Sequence, residues 1–255
     1  MLFKSLCTAV SAYSIIPVPY YEWDKESSAY AICFLPVIGF VNAILFALWI
    51  FICRLTGLSA ILFAAVASAV PVFVTGGIHM DGFMDTVDAL ASHQPKERKL
   101  EIMKDPNCGA FSVIYCVIYF LIMTGLFYEL FKMPGEIVLY VCPAYVFSRI
   151  LSAFCAINIS HARKNGMLDA VTEHVKKVPC NIALMVLFII VGAAVTVIDI
   201  PTGLAGIAAV IIWTIIYRRF AVKTFGGVTG DTAGFFLQMA EVIYIIAVLI
   251  GGKVF

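Results

Sequence analysis

Charge is scarce in this chain. Of its 255 residues, 13% are charged and 62% hydrophobic, and the mean hydropathy is +1.01. This excludes an ordinary soluble domain, whose apolar share is about 45–50%. The formal net charge is only +1, and acids accompany the bases along the chain. The lopsided basic patch of a nucleic-acid binder is therefore missing, and no nucleic-acid partner is expected. The 8 cysteines (Cys7, Cys33, Cys53, Cys108, Cys116, Cys142, Cys155 and Cys180) are scattered, mostly in apolar runs, and no two form a C-x-x-C pair. The common metal and redox spacings are thus absent, and these residues read as small hydrophobes. No small-residue cleavage site follows the first apolar stretch before Glu22, Asp24, Lys25 and Glu26, so no secretory signal peptide is expected. Low-complexity tracts and a convincing internal repeat are lacking too. A single domain over 1–255 is the expected organisation.

What is present is a series of apolar runs long enough to cross a bilayer, which takes about 20 residues each. They fall at about 30–54, 57–75, 110–132, 136–158, 181–199, 202–217 and 234–252. The expected fold is all-α: a polytopic membrane bundle of about seven transmembrane helices. The stretch from Leu6 to Tyr20 is apolar but short and broken by Pro17 and Pro19, so it is expected to be interfacial or re-entrant. With these spans, most lysines and arginines share one face, among them Lys4, Lys25, Lys96, Arg163, Lys164 and Lys223. Arg54, Lys132 and Lys253 fall on the other. The positive-inside bias makes the crowded face cytoplasmic and the location the cytoplasmic (inner) membrane, with the lipid bilayer as a partner.

The second span runs into Gly76-Gly77-Ile78-His79-Met80-Asp81-Gly82-Phe83-Met84-Asp85-Thr86-Val87-Asp88. On a helix, at about 100° per residue, Asp81, Asp85 and Asp88 project within roughly 60° of one another. A charge run is most often a solvated face, but Ile78, Met80, Phe83, Met84, Val87 and Leu90 surround these acids with apolar side chains. Carboxylates clustered next to a membrane need a compensating cation. Mg²⁺ is the natural candidate, because it takes oxygen ligands and usually bridges one or two carboxylates to substrate phosphates. His79 suits a general base or a phosphate contact, though on a continuous helix it points roughly opposite Asp81. Only a break at Gly76-Gly77 would reorient it. Gly82 reads as a point of close approach for a helix or a substrate.

Other constellations fall on the same face. Arg98, Lys104 and Asp105 can bind phosphate or support a metal, or can belong to a basic interfacial helix that meets anionic headgroups. Arg218, Arg219 and Lys223 precede Gly226-Gly227-Val228-Thr229-Gly230-Asp231-Thr232, a glycine-rich turn whose N–H groups can cradle phosphate at the start of the last span. Its ordinary alternative is a flexible loop with Asp231 as the helix N-cap. Arg149, inside the fourth span, needs a carboxylate, a phosphate or a cavity, and Glu241 is a second ionisable residue within a span. The loop from His161 to Gly166 can guide an anionic substrate or simply obey the positive-inside rule. Asp169, Glu173 and His174 read as solvated helix residues.

These pieces together resemble the cobalamin synthases, the adenosylcobinamide-GDP ribazoletransferases of the vitamin B12 nucleotide-loop pathway. The resemblance covers nearly the whole chain. It is carried by Ile16-Pro17-Val18-Pro19, the signature from Gly76 to Asp88, Glu101-Ile102-Met103-Lys104-Asp105 with Gly109-Ala110-Phe111, Ser148-Arg149, and Gly226 to Thr232. Ala89 and Ser112 stand where that family usually has glycine. The resemblance implies a transferase in which a hydroxyl of α-ribazole, or of its 5′-phosphate, attacks adenosylcobinamide-GDP and GMP leaves. It implies Mg²⁺ on Asp81, Asp85, Asp88 and Asp231, with Asp85, Asp88, Asp231 and His79 as catalytic candidates. The diphosphate candidates are Arg98, Lys104, Asp105, Arg149, Arg218 and Arg219, with Gly226, Gly227, Thr229 and Gly230 in the turn. Assembly into homo-oligomers or with other enzymes of the pathway stays open. The alternatives are a membrane Mg²⁺-dependent transferase of the CDP-alcohol phosphotransferase or prenyltransferase type, and, from another class, a secondary transporter coupling through Arg149 and Glu241.

Overall fold

A computed structural model describes residues 1–133, 137–163 and 166–254. Glu136, the expected start of the fourth span, and Lys164 and Asn165 of the basic loop lie outside the described residues, as does Phe255. The helices are α1 (Leu2–Tyr13), α2 (Lys25–Ser28), α3 (Leu35–Thr56), α4 (Ala60–Thr75), α5 (Ile78–Ala91), α6 (Lys96–Ile102), α7 (Ala110–Lys132), α8 (Cys142–Asn158), α9 (Met167–Thr172), α10 (Lys177–Ile198), α11 (Ile200–Phe225) and α12 (Gly230–Val254). Short 3₁₀ turns, Ala31–Phe34 and Ile137–Val141, lead into α3 and α8. No strand occurs among the described residues, only an isolated bridge between His161 and Val228.

Among the described residues six helices, counting those turns, are long and apolar enough to cross a membrane: Ala31–Thr56, Ala110–Lys132, Ile137–Asn158, Lys177–Ile198, Ile200–Phe225 and Gly230–Lys253. The seventh span, expected at 57–75, is a bent pair. α4 runs to Thr75, then α5 departs at 99°. Two consecutive glycines make the corner, Gly76 at φ +63° and Gly77 at φ +85°, conformations that cost other residues dearly. Gly76 and Gly77 return their N–H groups to Phe73 and Val72 of α4 at 3.4 and 3.0 Å, which closes the helix as a left-handed cap does. At 99° to α4, the 14-residue α5 does not continue its direction, and with its three acids we place it across one end of the bundle, outside the spans.

α8 and α12 make the centre. Of their spanning windows 67% and 61% are buried, against 22% for α7 and α10, whose outward residues such as Val117, Leu121, Ile189 and Ile190 stay exposed as lipid-facing positions do. α3 lies directly on α8: a Cβ at Gly39 would sit 2.4 Å from the Tyr145 carbonyl oxygen. At the centre Arg149 of α8 pairs with Glu241 of α12, both 1% exposed. Half-buried indoles are satisfied across helices, Trp49 on the Phe63 carbonyl at 3.0 Å and Trp213 on the Phe236 carbonyl at 3.1 Å.

Two elements gain detail. In the N-terminal segment α1 begins at Leu2 and ends at Tyr13, and the part carrying Pro17 and Pro19 is non-helical, because proline cannot continue a helix interior. Ile15 donates its N–H to the Val74 carbonyl at 3.0 Å, which ties that part to the corner after α4. The sixth span is also longer than 202–217. α11 continues through Arg218 and Arg219 to Phe225, so those bases ride on a helix and not on a loop.

Candidate active site

The acidic helix α5 crosses the first turn of α12 backbone to backbone. A Cβ on Gly82 would stand 2.8 Å from both Cα and O of Asp231, and one on Gly234 would stand 2.8 Å from the His79 carbonyl oxygen. Glycine at both positions thus lets Asp81 and Asp85 come up beside Asp231. Of the two readings open for Gly82, the neighbour is a helix. At the far end of α5, Asp88 lies against Gly109, the N-cap of α7, where a Cβ would be 2.1 Å from its Oδ1. Asp81 is exposed, Asp85 and Asp88 are half-buried, and the Asp231 side chain is 27% exposed. Burial, then the charges of Asp81, Asp231 and Asp88, push the Asp85 carboxyl up to about 7, while Arg163 pulls it down. Asp85 therefore feels the charges of the other three acids. Among the described residues, though, no three or more His, Cys, Asp or Glu side chains close into a set that could hold a metal ion alone.

The turn before α12 is built differently from a phosphate cradle. Gly226, at φ +84°, ends α11, and its N–H bonds Val222 O at 3.0 Å; the Gly227 N–H bonds Ala221 O at 3.2 Å. Val228 N–H bonds Ser160 O at 2.8 Å, and Thr229 N–H bonds Thr232 Oγ1 at 2.8 Å. Gly226 and Gly227 thus have no donor left for phosphate. Their role is to make the turn, since a Cβ on Gly227 would lie 2.1 Å from Ser160 O. Thr229, not Asp231, caps the helix: its Oγ1 accepts the Thr232 N–H at 3.1 Å. The N–H groups of Gly230 and Asp231 have no partner among the described residues, as expected for a first helical turn.

Beside this turn lies a cavity of about 320 Å³. Asp81, Thr229, Gly230 and Asp231 line it, as do His79, Tyr13, His161, Arg163 and Asp169. Arg163 donates from Nη2 to Leu100 O at 2.7 Å and from Nη1 to Asp231 Oδ2 at 3.4 Å. The loop that carries it is held by His161, whose Nδ1 meets Asp169 Oδ1 at 2.8 Å and whose Nε2 meets Ala156 O at 3.0 Å. His79 is 7% exposed, and its buried Nδ1 has no hydrogen-bond partner among the described residues. Burial, with a smaller contribution from Arg149, pushes it down to about 3. The Tyr13 ring lies alongside, 6.3 Å away and within 13° of parallel. The glycine corner does not bring His79 onto the face of Asp81, because both follow it on α5; they share the cavity because it reaches both sides of that first turn.

Several sequence candidates lie elsewhere, and none of the following lines this cavity. Arg98 is exposed and paired with Glu101 at 2.7 Å. Lys104 is exposed. Asp105 accepts the Asn107 N–H at 2.9 Å and its side-chain amide at 2.8 Å, bonds that hold its carboxyl below the usual aspartate value. Arg218 and Arg219 are exposed on α11. Arg149 bonds Glu241, Ser148 Oγ and Tyr145 O, an arrangement that suits a structural ion pair. Arg163, which sequence reading left among the general loop bases, is the arginine the fold delivers. Asp169 lies on α9 with its side chain 39% exposed, as expected of a solvated helix residue, and is in addition the partner of His161.

Comparison with known proteins agrees with the motifs. The family described as cobalamin-5-phosphate synthase matches residues 5–249. A protein of Lachnoclostridium phytofermentans named adenosylcobinamide-GDP ribazoletransferase is 37% identical over 247 residues, covering 97% of this chain and 94% of its own length. A Clostridium botulinum protein of the same name is 35% identical over 95% of each chain, and one from Acinetobacter baumannii 31% identical over 86% of each. No solved structure matches the chain. Neither a prenyltransferase nor a transporter family is favoured by these matches. With its motifs spread along all but the ends of the matched region, the chain belongs to the cobalamin-5-phosphate synthase family.

Proposed function

We propose that this chain joins α-ribazole, or α-ribazole 5′-phosphate, to adenosylcobinamide-GDP, with release of GMP, giving adenosylcobalamin or its 5′-phosphate. Its relatives carry the name of that transferase activity. The observation that carries the reading is the gathering of Asp81, Asp85, Asp88 and Asp231 at one end of the bundle, beside a cavity lined by Arg163. In the reaction the acceptor hydroxyl oxygen forms a bond to the phosphorus on the cobinamide side. The bond from that phosphorus to the oxygen of the GMP phosphate breaks, and GMP departs with the electron pair. The hydroxyl proton passes to a carboxylate, for which Asp231, in the cavity wall, and Asp85 are the candidates.

Hard carboxylate oxygens in an open arrangement suit Mg²⁺, which keeps waters and takes phosphate oxygens as ligands, so the lack of a closed protein cage fits it. Asp81, Asp85, Asp88 and Asp231 would hold one or two such ions, each on one or two carboxylates, and when bound the metal supplies neutralisation of the phosphoryl charge. Arg163 donates to the substrate phosphate in exchange for its long contact with Asp231. The unpartnered N–H groups of Gly230 and Asp231 add the favourable field of a helix N-terminus. The acid end also carries Lys4, Lys25, Lys96, Arg98 and Lys223, so we place it on the cytoplasmic side of the inner membrane. The test is a turnover assay with adenosylcobinamide-GDP, α-ribazole and Mg²⁺. GMP should appear and should stop appearing on chelation; no GMP from the purified protein would refute the reading, and GMP unaffected by chelator would refute the metal.

A further inference from the structure

The cavity beside the first turn of α12 has an uneven wall. Its charged groups Asp81, Asp231 and Arg163 stand together, and His161 and Asp169 satisfy each other. Much of the rest is apolar, from Ile32 and Leu35 at the start of α3 to Ala153 and Ala156 of α8 and Val171 of α9, with the near-parallel rings of Tyr13 and His79. Resting on the transfer reaction above, we propose that this chamber seats the base of the nucleoside acceptor, an aromatic ring with few hydrogen-bonding edges, while the guanine nucleotide of the donor lies outside it.

Three observations converge. The volume of about 320 Å³ stands at the lower end of small-molecule sites, which run from about 300 to 1,000 Å³; it suits a nucleoside and is far too small for a corrinoid ring. The buried His79 imidazole lines the chamber, and its buried Nδ1 has no hydrogen-bond partner among the described residues, so the ring is a polar group that calls for a ligand partner. A benzimidazole-type nucleoside brings one free ring nitrogen to meet it. Guanine brings donors and acceptors along two edges, whereas the uncharged polar side chains of the wall are only His79, Tyr13, Ser152 and Thr229, and the Ser152 and Thr229 hydroxyls are already bonded, to Ala233 O and to Asp231 and the Thr232 N–H, so most of its edges would be buried unsatisfied. With the base among the apolar residues, the ribose is left to face Asp81 and Asp231, where its hydroxyl must lose a proton.

The test is steady-state kinetics on the purified protein in nanodiscs with Mg²⁺, varying each substrate separately. Filling the chamber from two different helices, by Ala156→Leu and by Val171→Phe, should raise the KM for α-ribazole at least tenfold and leave the KM for adenosylcobinamide-GDP within twofold. The opposite split would overturn the proposal. Photolabelling of the unaltered protein by an azide-bearing benzimidazole riboside covers the case in which a variant fails to fold. Label on Tyr13, His79, Ala153, Ala156 or Val171, blocked by α-ribazole and not by GMP, is expected; label confined to other residues would overturn it. Absence of GMP release from the unaltered protein is a separate result that removes the transfer reading itself, and the assignment with it.

Discussion

Replacing Arg149 with methionine separates a structural role from a substrate role. Arg149 Nη1 bonds Glu241, the Ser148 hydroxyl oxygen at 2.9 Å and the Tyr145 carbonyl at 3.1 Å, while the Ser148 hydroxyl donates to Glu241 Oε1 at 3.2 Å. The pair is 1% exposed on both sides, and Glu241 Oε2 has no partner among the described residues. Arg149→Met therefore strands a buried carboxylate. Breaking such a pair from one side costs about 3–5 kcal/mol. At roughly 2–4 °C per kcal/mol for a chain of this size, the midpoint should fall by about 6–20 °C. The double variant Arg149→Met with Glu241→Leu removes both charges and should recover most of that loss, because replacing a whole buried pair with apolar side chains is often neutral or stabilising. The assay is thermal unfolding in detergent, followed by tryptophan fluorescence, with GMP release measured on each variant well below its midpoint. A single variant that melts with the parent yet releases no GMP would show that Arg149 meets the substrate and would refute the structural assignment.

Four further outcomes follow from the site. Gly82→Ala should lower turnover about 100-fold, the scale of a 1 Å misplacement, because the new Cβ meets the Asp231 backbone at 2.8 Å; parental GMP release would show that the α5–α12 crossing is not needed. Asp85→Asn and Asp88→Ala should each cut GMP release by about 10³-fold or more, the scale of losing groups that stabilise transition-state charge, with an unchanged elution profile in detergent; normal turnover by either variant rules out its metal role. Arg163→Gln should lower kcat/KM for adenosylcobinamide-GDP about 100-fold, the loss typical of one charge-stabilising donor, and Arg163→Lys should restore only part of it, since lysine lacks the planar fork; full rescue by lysine would leave only a point charge. In chelator, Asp85 with its carboxyl raised from 3.8 to about 7 contributes stability that is whole below about pH 4 and is lost as pH rises through 7. The midpoint should therefore fall over that window, less so in Asp85→Asn, and Mg²⁺ should restore it at pH 7.5; identical pH profiles for parent and variant would count against the shared carboxylate field.

The membrane class and the run of spans were legible from apolar length alone: 110–132 coincides with α7, and the start of each of the others lies within a few residues of a helix in the fold. The acid spacing at 81, 85 and 88 was legible as a helical stripe, and its shared burial with Asp231 could be guessed only through a resemblance. What could not be read was tertiary. Arg163 is one loop base among many, and nothing in His161-Ala162-Arg163 says that an extended contact with Val228 will carry it to Asp231. Arg149 and Glu241 are 92 positions apart, so neither betrays the other. The glycine turn at Gly226 misled for the opposite reason: composition suggests free N–H groups, but whether they are free depends on Ser160 and on the last turn of α11.

The corner at Gly76 and Gly77 also bears on how the protein enters its membrane. An aspartate at the middle of a spanning helix costs about 2.5–3.5 kcal/mol during insertion, and three on one segment would outweigh the gain from its leucines and valines. By turning 99° before the first acid, the chain keeps all three aspartates off α4, whose 16 residues carry no charge, so that segment meets the lipid without that cost. α5 lies instead against the first turn of α12, where Gly82 and Gly234 let the two backbones meet.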